Sequence, residues 1–459
     1  MPGGVIGNTA EFGSAFPGSS PGWAVIVFAD SQKQDNEIAM SDLRTIILAA
    51  GKGVRMKSDI PKVLHPVCAK PIIQYVFELV RALGARHIYM VLGHKSDAVK
   101  SVLEKDVTVV IQEKLLGTAD AVKRTSGHFR NYQGDVLILC GDTPLLNKDT
   151  IKELLKHHKK AKAACTFLTA NVVDPKGYGR VIRDARGAVA AIREDKDATL
   201  DEQEIKEINV GVYCFKGNDL FASLQEVKIN PKKKEYFLTD VVQILMEKNL
   251  TVTTVRTEDP QEGLGVNTRV DLAVAESVMR QRILKNFMLN GVTIVDPQTT
   301  YIHAGVQIGR DTTIRPFTVI ENNVRIGDRC LIGPFCRLRP NTRIGNNVEI
   351  GNFTEVSRSK IGNQCFMKHF SFLGDAFLGE RVNIGAGVVT ANFDGKNKNK
   401  TMISNDAFIG SDSILVGPLK IGQGAVTGAG CVVPGRKNVP DYGVVAGVPA
   451  RLISRRKRI

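Results

Sequence analysis

The sequence has few aromatic residues, scattered cysteines and no long apolar run. Aromatic residues make up 6% of the 459 residues and include one tryptophan. The eight cysteines form no Cys-x-x-Cys pair and show no zinc-type Cys/His spacing, so neither a disulfide framework nor a structural metal is indicated. We therefore expect reduced thiols and a cytoplasmic protein. No stretch approaches the roughly 18 apolar residues of a membrane-spanning helix, which excludes that class.

Acidic residues are fewer than basic ones. The chain has 47 Asp and Glu against 62 Lys and Arg, a net charge of +15. This balance suits anionic partners such as nucleotides, sugar phosphates, coenzyme A or nucleic acid. No recognisable nucleic-acid-binding motif is present, so we expect no nucleic-acid partner. The 43 glycines indicate a glycine-punctuated repeat, and the length predicts two or three domains.

Residues 1–39 differ in composition from the rest of the chain. They contain four acids and a single base, Lys33. The apolar stretch Trp23–Ala29 is short and lacks a basic start, so it does not fit a secretory signal. We predict a disordered leader or a translational extension, with Met40 as the natural start.

From Leu43 onward, aliphatic runs alternate with segments of helical periodicity. The predicted strands are Thr45–Ala50, Ile88–Gly93, Val107–Gln112 and Asp135–Cys140. The segments between them include the predicted helices Pro71–Leu83 and Lys148–His158. This alternation predicts a doubly wound α/β domain over residues 41–266, with ligands bound beyond the carboxyl ends of the strands.

A polar loop, residues 48–56, follows the first predicted strand. Its Gly51 and Gly53 let the backbone approach a phosphate closely. Lys52 and Arg55 supply positive charge against a triphosphate. The loop therefore fits a phosphate site, and a plain turn with solvated bases is the alternative.

Asp142 follows Gly141 at the end of the fourth predicted strand. A carboxylate at this place can bind Mg²⁺, which keeps most of its waters and takes one or two protein oxygens beside substrate phosphates. A helix cap is an equal alternative, because the following Thr143-Pro144 suits a capping turn.

These motifs, in this order, resemble the sugar nucleotidyltransferases. The matching segments are residues 48–56 (LAAGKGVRM), Pro61-Lys62, 112–118, Gly141-Asp142, 177–180, Glu194, 209–211 and 265–267. The specific resemblance is to the uridyltransferase domain of the bifunctional N-acetylglucosamine-1-phosphate uridyltransferase/glucosamine-1-phosphate N-acetyltransferase family. It implies Mg²⁺-dependent attack of a sugar 1-phosphate on the α-phosphorus of UTP, with release of pyrophosphate.

The resemblance also implies roles for individual residues. The uridine nucleotide and its phosphates would be bound by Leu48, Ala49, Ala50, Gly51, Lys62, Gln112, Gly117, Thr118, Cys140 and Gly141. The amino sugar would be held by Gly179, Glu194 and Asn209, and Mg²⁺ by Asp142 and Asn267. Arg55 and Lys62 would act in catalysis by stabilising the negative charge that spreads in the transition state.

Residues 267–291 are predicted to form one long connecting helix. Thr268 and Asp271 have the spacing of a capping box, and Asn290-Gly291 ends the helical periodicity. We assign this segment no chemistry.

An aliphatic residue recurs every six positions from Ile302 to Val356, ten times in register. With small slips near Ser357 and Phe377, the series runs on to Val433. Such repeats resemble the left-handed parallel β-helix of hexapeptide acyltransferases. The resemblance implies this fold for residues 292–454, and it implies a homotrimer with acyl sites between the rods. Residues 455–459 are a basic tail.

The six-residue period breaks once, at residues 391–402, which are polar and basic and must leave the rod as a loop. His369 lies in a segment that resembles the one with the general base of the acetyltransferase, so it would take a proton from the attacking amine. The other residues implied to bind sugar phosphate or acetyl-CoA are Arg339, Ser357, Arg358, Phe372, Asn383, Ala386, Asn392, Phe393, Ser411 and Ala429.

Several of these positions depart from the family pattern. Ser357 stands where a lysine binds sugar phosphate, with Arg358 beside it as a substitute. Phe372 and Phe393 stand where tyrosines donate hydroxyls, and each loss removes a hydrogen bond of about 0.5–1.5 kcal/mol. The ending, residues 444–451, resembles general hexapeptide acyltransferases, so an arginine that binds coenzyme A is not identified.

We expect an enzyme of two activities. Acetyl-CoA would acetylate glucosamine 1-phosphate on the repeat domain, and UTP with Mg²⁺ would convert the product to UDP-N-acetylglucosamine, a precursor of cell-wall peptidoglycan. The alternative is a nucleotidyltransferase whose repeat domain uses another acyl acceptor or is only a trimerising or regulatory scaffold.

Overall fold

The computed structural model describes residues 42–456. The predicted leader, residues 1–39, and most of the predicted basic tail lie outside the described residues.

The first half of the described chain is an α/β domain. Its strands are β1 (Arg44–Ala49), β2 (Pro66–Val67), β3 (Lys70–Pro71), β4 (His87–Leu92), β5 (Thr108–Ile111), β6 (Asp135–Cys140), β7 (Cys165–Asn171), β8 (Arg180–Arg183), β9 (Val189–Arg193), β10 (Glu207–Lys216) and β11 (Val252–Arg256). Its helices are α1 (Ile72–Ala82), α2 (Ser96–Lys100), α3 (Thr118–Lys123), α4 (Lys148–Ala161), α5 (Leu200–Gln203), α6 (Gly217–Ser223) and α7 (Leu238–Glu247).

The main sheet of this domain has the strand order β11-β7-β10-β6-β1-β4-β5, and β8 and β9 form a hairpin attached through β10. Strands β6, β1, β4 and β5 run parallel, whereas β10 is antiparallel to both of its neighbours. Ile47 packs into the core on one face and Ile46 into the core on the other, as alternating strand residues must. Both faces are covered, so the predicted doubly wound sheet is confirmed.

A long helix, α8 (Arg269–Leu289), follows this domain. Thr268 caps its first turn in a capping box with Asp271, and the chain leaves the helix at Asn290. Ala275 and Val278 pack against the α/β domain, whereas Leu284 belongs to the core of the repeat domain. The helix therefore contributes to both cores.

The repeat domain consists of short strands. They are β12 (Thr293–Ile294), β13 (Tyr301–Ile302), β14 (Gln307–Ile308), β15 (Thr313–Ile314), β16 (Val319–Ile320), β17 (Arg325–Ile326), β18 (Leu331–Ile332), β19 (Arg337–Leu338), β20 (Arg343–Ile344), β21 (Glu349–Ile350), β22 (Thr354–Ser357), β23 (Lys360–Ile361), β24 (Phe366–Met367), β25 (Ser371–Gly374), β26 (Ala376–Leu378), β27 (Asn383–Ile384), β28 (Val389–Ala391), β29 (Thr401–Ile403), β30 (Phe408–Ile409), β31 (Ile414–Val416), β32 (Leu419–Ile421), β33 (Val426–Thr427), β34 (Val432–Val433), β35 (Gly443–Ala446) and β36 (Arg451–Arg455).

These strands form three sheets in which each strand pairs with the third one after it. The pairs are parallel, so that Ile314 lies over Ile332 and Ile332 over Ile350. The aliphatic positions fill one continuous core. Residues with left-handed backbone angles recur every six positions, among them Phe317, Phe335 and Phe353, and they turn the chain at each corner. The predicted β-helix is confirmed.

The slips in the six-residue period have a structural cause. Ile350 pairs with Met367, a coil of 17 residues instead of 18, and Thr390 and Thr427 take inward positions that are aliphatic elsewhere. Each threonine hydroxyl bonds inside the rod; for example, Thr390 Oγ1 accepts from Gly374 N–H at 2.8 Å. Residues 392–400 leave the rod between β28 and β29, so the predicted loop is present.

Candidate active sites

A cavity of about 610 Å³ lies at the carboxyl ends of β1 and β6. These strands are parallel neighbours, so the loops that follow them meet at the same edge of the sheet. The side chains and backbone that line the cavity come from Leu48, Ala49, Ala50, Gly51, Lys52, Lys62, Val63, Gln112, Leu115, Gly117, Thr118, Ala121, Cys140, Asp142, Glu194, Glu235 and Phe237.

Most residues that the family resemblance implies for the uridyltransferase reaction line this cavity. The exceptions are Arg55, Gly141, Gly179, Asn209 and Asn267. Gly141 donates its N–H to the Leu48 carbonyl at 2.8 Å and so joins the two loops. The fold therefore brings most of these predicted residues together, although they are far apart in the chain.

The glycine loop is held against Lys62. Gly53 has a φ of +61°, and a Cβ added there would lie 2.7 Å from the Lys62 Cβ. Only glycine allows this approach with that backbone angle. At Gly51, by contrast, no heavy atom lies within 4 Å of an added Cβ, so the space beside its backbone is free of the surrounding protein atoms.

Three polar side chains converge on the ammonium of Lys62 or on its acceptors. Lys62 Nζ donates to Asp142 Oδ2 and, at 3.1 Å, to Asn267 Oδ1. Arg55 donates to the same Asn267 oxygen at 2.9 Å. The Lys62 and Asp142 side chains are only 15% and 20% exposed. Asp142 and Asn267, separated by much of the domain in sequence, thus present oxygens to one cation.

This oxygen pair fits Mg²⁺, which prefers carboxylate and amide oxygens and takes few protein ligands beside phosphates. The helix-cap alternative for Asp142 is not what the structure shows. The next helix, α4, is capped by Asn147, whose side chain accepts from Asp149 N–H at 3.1 Å.

Gln112 is fixed in one orientation at the other end of the cavity. Its Nε2 donates to the Gly117 carbonyl at 3.0 Å and to Asp120 Oδ2 at 2.9 Å, and the residue is 3% exposed. Because both amide hydrogens are used, the Gln112 Oε1 is left as an acceptor. An acceptor at this place can receive a ring N–H.

Gly117 allows two segments to meet at the cavity wall. Its φ is +102°, and an added Cβ would lie 2.4 Å from the Tyr236 carbonyl oxygen. That carbonyl accepts from Ala119 N–H at 2.9 Å, and Tyr236 N–H donates to Leu116 at 2.7 Å. These bonds bring Glu235 and Phe237, two wall residues that sequence reasoning missed, to the cavity.

Glu194, which the resemblance implies for the amino sugar, lines the cavity. Thr239 Oγ1 donates to Glu194 Oε1 at 3.2 Å. Burial, followed by the charge of Glu194, raises the pKa of the neighbouring Asp240 to about 6. Gly179 and Asn209 lie beside each other, since Asn209 N–H donates to the Gly179 carbonyl at 2.8 Å, but neither lines the cavity.

A second group of implied residues forms a column along one edge of the rod. The chain turns at His369, Ala386, Ser411 and Ala429 in successive coils, and we call this set the His369 edge. Backbone bonds join the coils there: Gly387 N–H to the Phe370 carbonyl at 2.7 Å, Asp412 N–H to that of Ala386 at 2.6 Å, and Gly430 N–H to that of Ser411 at 2.7 Å. The His369 side chain is exposed.

Arg358 is engaged in an ion pair. Its Nε and Nη2 bond the two oxygens of Asp375, each at 2.8 Å, and its Nη1 donates to Ser357 Oγ at 2.8 Å. Asn392 also bonds Asp375. The guanidinium predicted to substitute for the family lysine therefore already has a carboxylate partner.

The remaining implied residues are distributed over the coils around these groups. Arg339 donates to Glu355 at 2.9 Å, Asn383 lies on the outer side of β27, and Phe372 packs its ring near Gly374. Phe393 lies at the start of the loop and is 62% exposed. Neither phenylalanine brings a hydroxyl to the His369 edge.

Two family profiles match the chain in the order that the fold shows. The nucleotidyl transferase profile matches residues 44–259, and the bacterial transferase hexapeptide profile, of six repeats, matches residues 323–358. The "Bifunctional protein GlmU" of Halalkalibacterium halodurans is 43% identical over 427 residues, which cover 86% of this chain and 94% of that relative. The protein of the same name from Brevibacillus brevis is 41% identical over 435 residues, covering 88% and 94%.

The chain belongs to the bifunctional GlmU family. The predicted family and the predicted enzyme class, a nucleotidyltransferase followed by a hexapeptide transferase, are therefore confirmed. The roles of individual residues in this GlmU family member remain predictions. Among residues 42–456, no helix combines the length and apolar character required to cross a membrane.

Proposed function

We propose that this chain synthesises UDP-N-acetylglucosamine in two transfers. The rod moves an acetyl group from acetyl-CoA to the amine of glucosamine 1-phosphate. The α/β domain then joins the product to the uridylyl group of UTP and releases pyrophosphate. Family membership supports both activities, and the observation that carries the second is the convergence of Asp142 and Asn267 on Lys62 in the cavity.

In the uridylyl transfer, an oxygen of the sugar phosphate attacks the α-phosphorus of UTP in line with the leaving pyrophosphate. Asp142 and Asn267 would hold Mg²⁺, which neutralises phosphate charge when bound. Lys62 and Arg55 donate to the phosphate oxygens as charge spreads in the transition state. No side chain forms a covalent bond in this step.

The cavity also provides a basis for recognising the uracil base and the sugar. The Oε1 of Gln112 accepts the ring N–H of uracil, a hydrogen that cytosine lacks, so UTP is favoured over CTP. Glu194 accepts hydrogen bonds from the hydroxyl groups or the acetamido N–H of the sugar, oriented by Thr239.

In the acetyl transfer, the amine nitrogen bonds the thioester carbonyl carbon while His369 takes the proton of the amine. The carbon–sulfur bond then breaks, and His369 returns this proton to the sulfur, so that coenzyme A leaves as a thiol. The other residues of the His369 edge hold acetyl-CoA along the rod. Arg339 binds the sugar phosphate. Three chains associate through their rods, because a narrow rod gains buried area when its sides pack together. The enzyme acts in the cytoplasm.

An alternative function for the rod rests on specific contacts. Arg358 is paired with Asp375, Ser357 lacks the charge of the family lysine, and Phe372 and Phe393 lack hydroxyls. These features motivate the alternative, in which the rod uses another acyl acceptor or is a scaffold without acetyltransferase activity.

Measuring thiol release from acetyl-CoA decides between the two rod functions. With glucosamine 1-phosphate we expect thiol release from the wild-type protein and at least about a 100-fold decrease in His369→Ala, since general-base catalysis contributes about 100- to 10,000-fold. His303→Ala, which changes the other histidine of the repeat domain, is the control and should keep its activity. No release from the wild type would support the alternative, and equal release from both variants would refute the role of His369.

Pyrophosphate release from UTP and N-acetylglucosamine 1-phosphate tests the α/β domain separately. Asp142→Asn should abolish it while leaving the protein folded and acetyl transfer unchanged. Asp149→Asn, on the exposed first turn of α4, is the control. Normal release from Asp142→Asn would contradict the proposed metal site.

A further inference from the structure

Three potential metal ligands meet at the amino-terminal end of β6, opposite to the end that borders the cavity. Asp135 is the first residue of β6, whereas Cys140, in the cavity wall, is the last. The carboxylate of Asp135, the imidazole of His158 and the thiol of Cys214 place one ligand atom each within 4.8 Å of one another. We propose that they bind one divalent transition-metal ion of the zinc type. This inference does not rest on the proposed function.

The spacing of two ligand atoms fits tetrahedral zinc. His158 Nε2 lies 3.4 Å from Asp135 Oδ1. Zinc bonds to nitrogen and carboxylate oxygen of about 2.0–2.1 Å, at the tetrahedral angle, place the two atoms roughly 3.3–3.4 Å apart. The Cys214 thiol lies within 4.8 Å of both atoms and would be the third ligand, and a water can take the fourth position.

The imidazole of His158 is oriented for binding through Nε2. Its Nδ1 lies 3.0 Å from Thr166 Oγ1, a buried hydroxyl, and the ring is 1% exposed. Within residues 42–456 the buried Nε2 has no hydrogen-bond partner. When Nδ1–H donates to the hydroxyl, the lone pair of Nε2 points to the ligand cluster. A metal-binding histidine commonly donates its other ring N–H to a neighbouring acceptor, which fixes the ring.

A small cavity of about 230 Å³ opens beside these residues. It is lined by Asp135 and His158 and, at its exposed mouth, by Lys159, Lys162 and Lys216. Two of the lysines belong to the C-terminal end of α4, where the helix dipole favours cations, so the helix accounts for them without an anionic ligand. A carboxylate and a thiolate together balance the charge of a divalent ion.

The three ligands come from three elements: β6, the last turn of α4 and β10. A bound ion would therefore cross-link the helix to two neighbouring strands. The positions 135, 158 and 214 lie too far apart in sequence to resemble a zinc motif, which explains why the spacing of the cysteines gave no metal signal.

Cobalt(II) is the probe that reports thiolate binding. The full chain, stripped with a chelator, receives one equivalent of CoCl₂, and the near-ultraviolet thiolate-to-cobalt charge-transfer band is recorded. We expect the band in the wild-type protein and in Cys165→Ser, a neighbouring buried cysteine outside the cluster. Cys214→Ser should lose it. The oxygen ligands of the nucleotide cavity give no such band, so the two sites are distinguished.

Zinc affinity, measured by competition with a chromophoric chelator, tests the other ligands. His158→Gln should bind about 100-fold more weakly or worse, and Thr166→Val, which removes only the orienting hydroxyl, about 10- to 100-fold more weakly. The matched control is His157→Gln, because the Nε2 of wild-type His157 bonds Thr253 Oγ1 at 3.0 Å and lies outside the cluster. This variant should bind zinc as the wild type does. Thermal melts check that each variant folds.

Several outcomes would overturn the proposal. They are the absence of a charge-transfer band in the wild type, a band that survives Cys214→Ser, and equal zinc affinity in the His158→Gln and His157→Gln variants. Stabilisation by inorganic phosphate with no effect of zinc would also overturn it and would assign the small cavity to an anion. Should Cys214→Ser fail to fold, the Thr166→Val affinity decides.

Discussion

Replacing Lys62 with alanine separates metal binding from turnover at the nucleotide cavity. The ammonium of Lys62 donates to Asp142 and Asn267, whose oxygens are the proposed Mg²⁺ ligands. The ammonium and the metal therefore compete for the same acceptors in the absence of UTP. A hydrogen bond to a charged group contributes about 1.5–3 kcal/mol, and about 1.4 kcal/mol corresponds to tenfold in affinity. We expect Lys62→Ala to bind Mg²⁺ about 10- to 100-fold more tightly.

Turnover of the same variant should change in the opposite direction. Lys62 donates to the phosphate oxygens in the proposed transition state, and loss of one such donor lowers kcat by about 100- to 1,000-fold. Tighter metal binding with slower chemistry is the signature of a lysine that changes partner when the substrate enters.

Calorimetric titration with MgCl₂ in the absence of UTP measures the affinity, and a coupled assay of pyrophosphate release measures kcat. The control is Lys95→Ala, because Lys95 does not line the cavity and its Nζ lies 3.8 Å from Asp59 Oδ1 on the surface. Unchanged or weaker Mg²⁺ binding in Lys62→Ala would refute the competition. Unchanged kcat would refute the role of Lys62 in the transfer.

Three further substitutions test separate features. Gly117→Ala should destabilise the fold by about 1–3 kcal/mol in a denaturant titration, because an added Cβ meets a backbone carbonyl at 2.4 Å, whereas Gly127→Ala has open space and should be neutral. Burial and the charge of Glu194 raise the pKa of Asp240 to about 6, so ionisation costs stability as the pH rises from about 4 to above 6. Asp240→Asn should therefore increase the free energy of unfolding by about 1 kcal/mol above pH 6, a value reduced for a half-buried carboxyl, and leave it unchanged below pH 4. A difference in melting temperature that does not depend on pH would contradict this. Thr390→Val should cost about 1–3 kcal/mol by leaving a buried N–H of the neighbouring coil unpaired, and a neutral result in urea would contradict that accounting.

The sequence predicts those features whose signal is local or periodic. The strand Asp135–Cys140 agrees with the structure at both ends, and the six-residue period places the inward aliphatic residues from Ile302 onward. Thr390 and Thr427 interrupt the period of inward aliphatic residues. The rod accommodates them because hydrogen bonds inside it satisfy their hydroxyls. A hydropathy period cannot register a polar side chain that is buried in this way.

Features that depend on contacts between distant segments are missed. Glu235 and Phe237 reach the nucleotide cavity because the backbone of Tyr236 pairs with Leu116 and Ala119 across the fold. The pairing of Arg358 with a carboxylate 17 residues later depends on the coil length, which a slip in the repeat obscures. Neither arrangement follows from residue types and spacing alone.

The His369 edge has a fixed spacing along the rod. Each coil advances by one strand spacing, about 4.8 Å, so the separation of any two residues on the edge is a whole number of steps that side chains cannot adjust. A substitution on this edge therefore changes the chemistry at one step and leaves the spacing of the steps unchanged, because backbone bonds between the coils set that spacing.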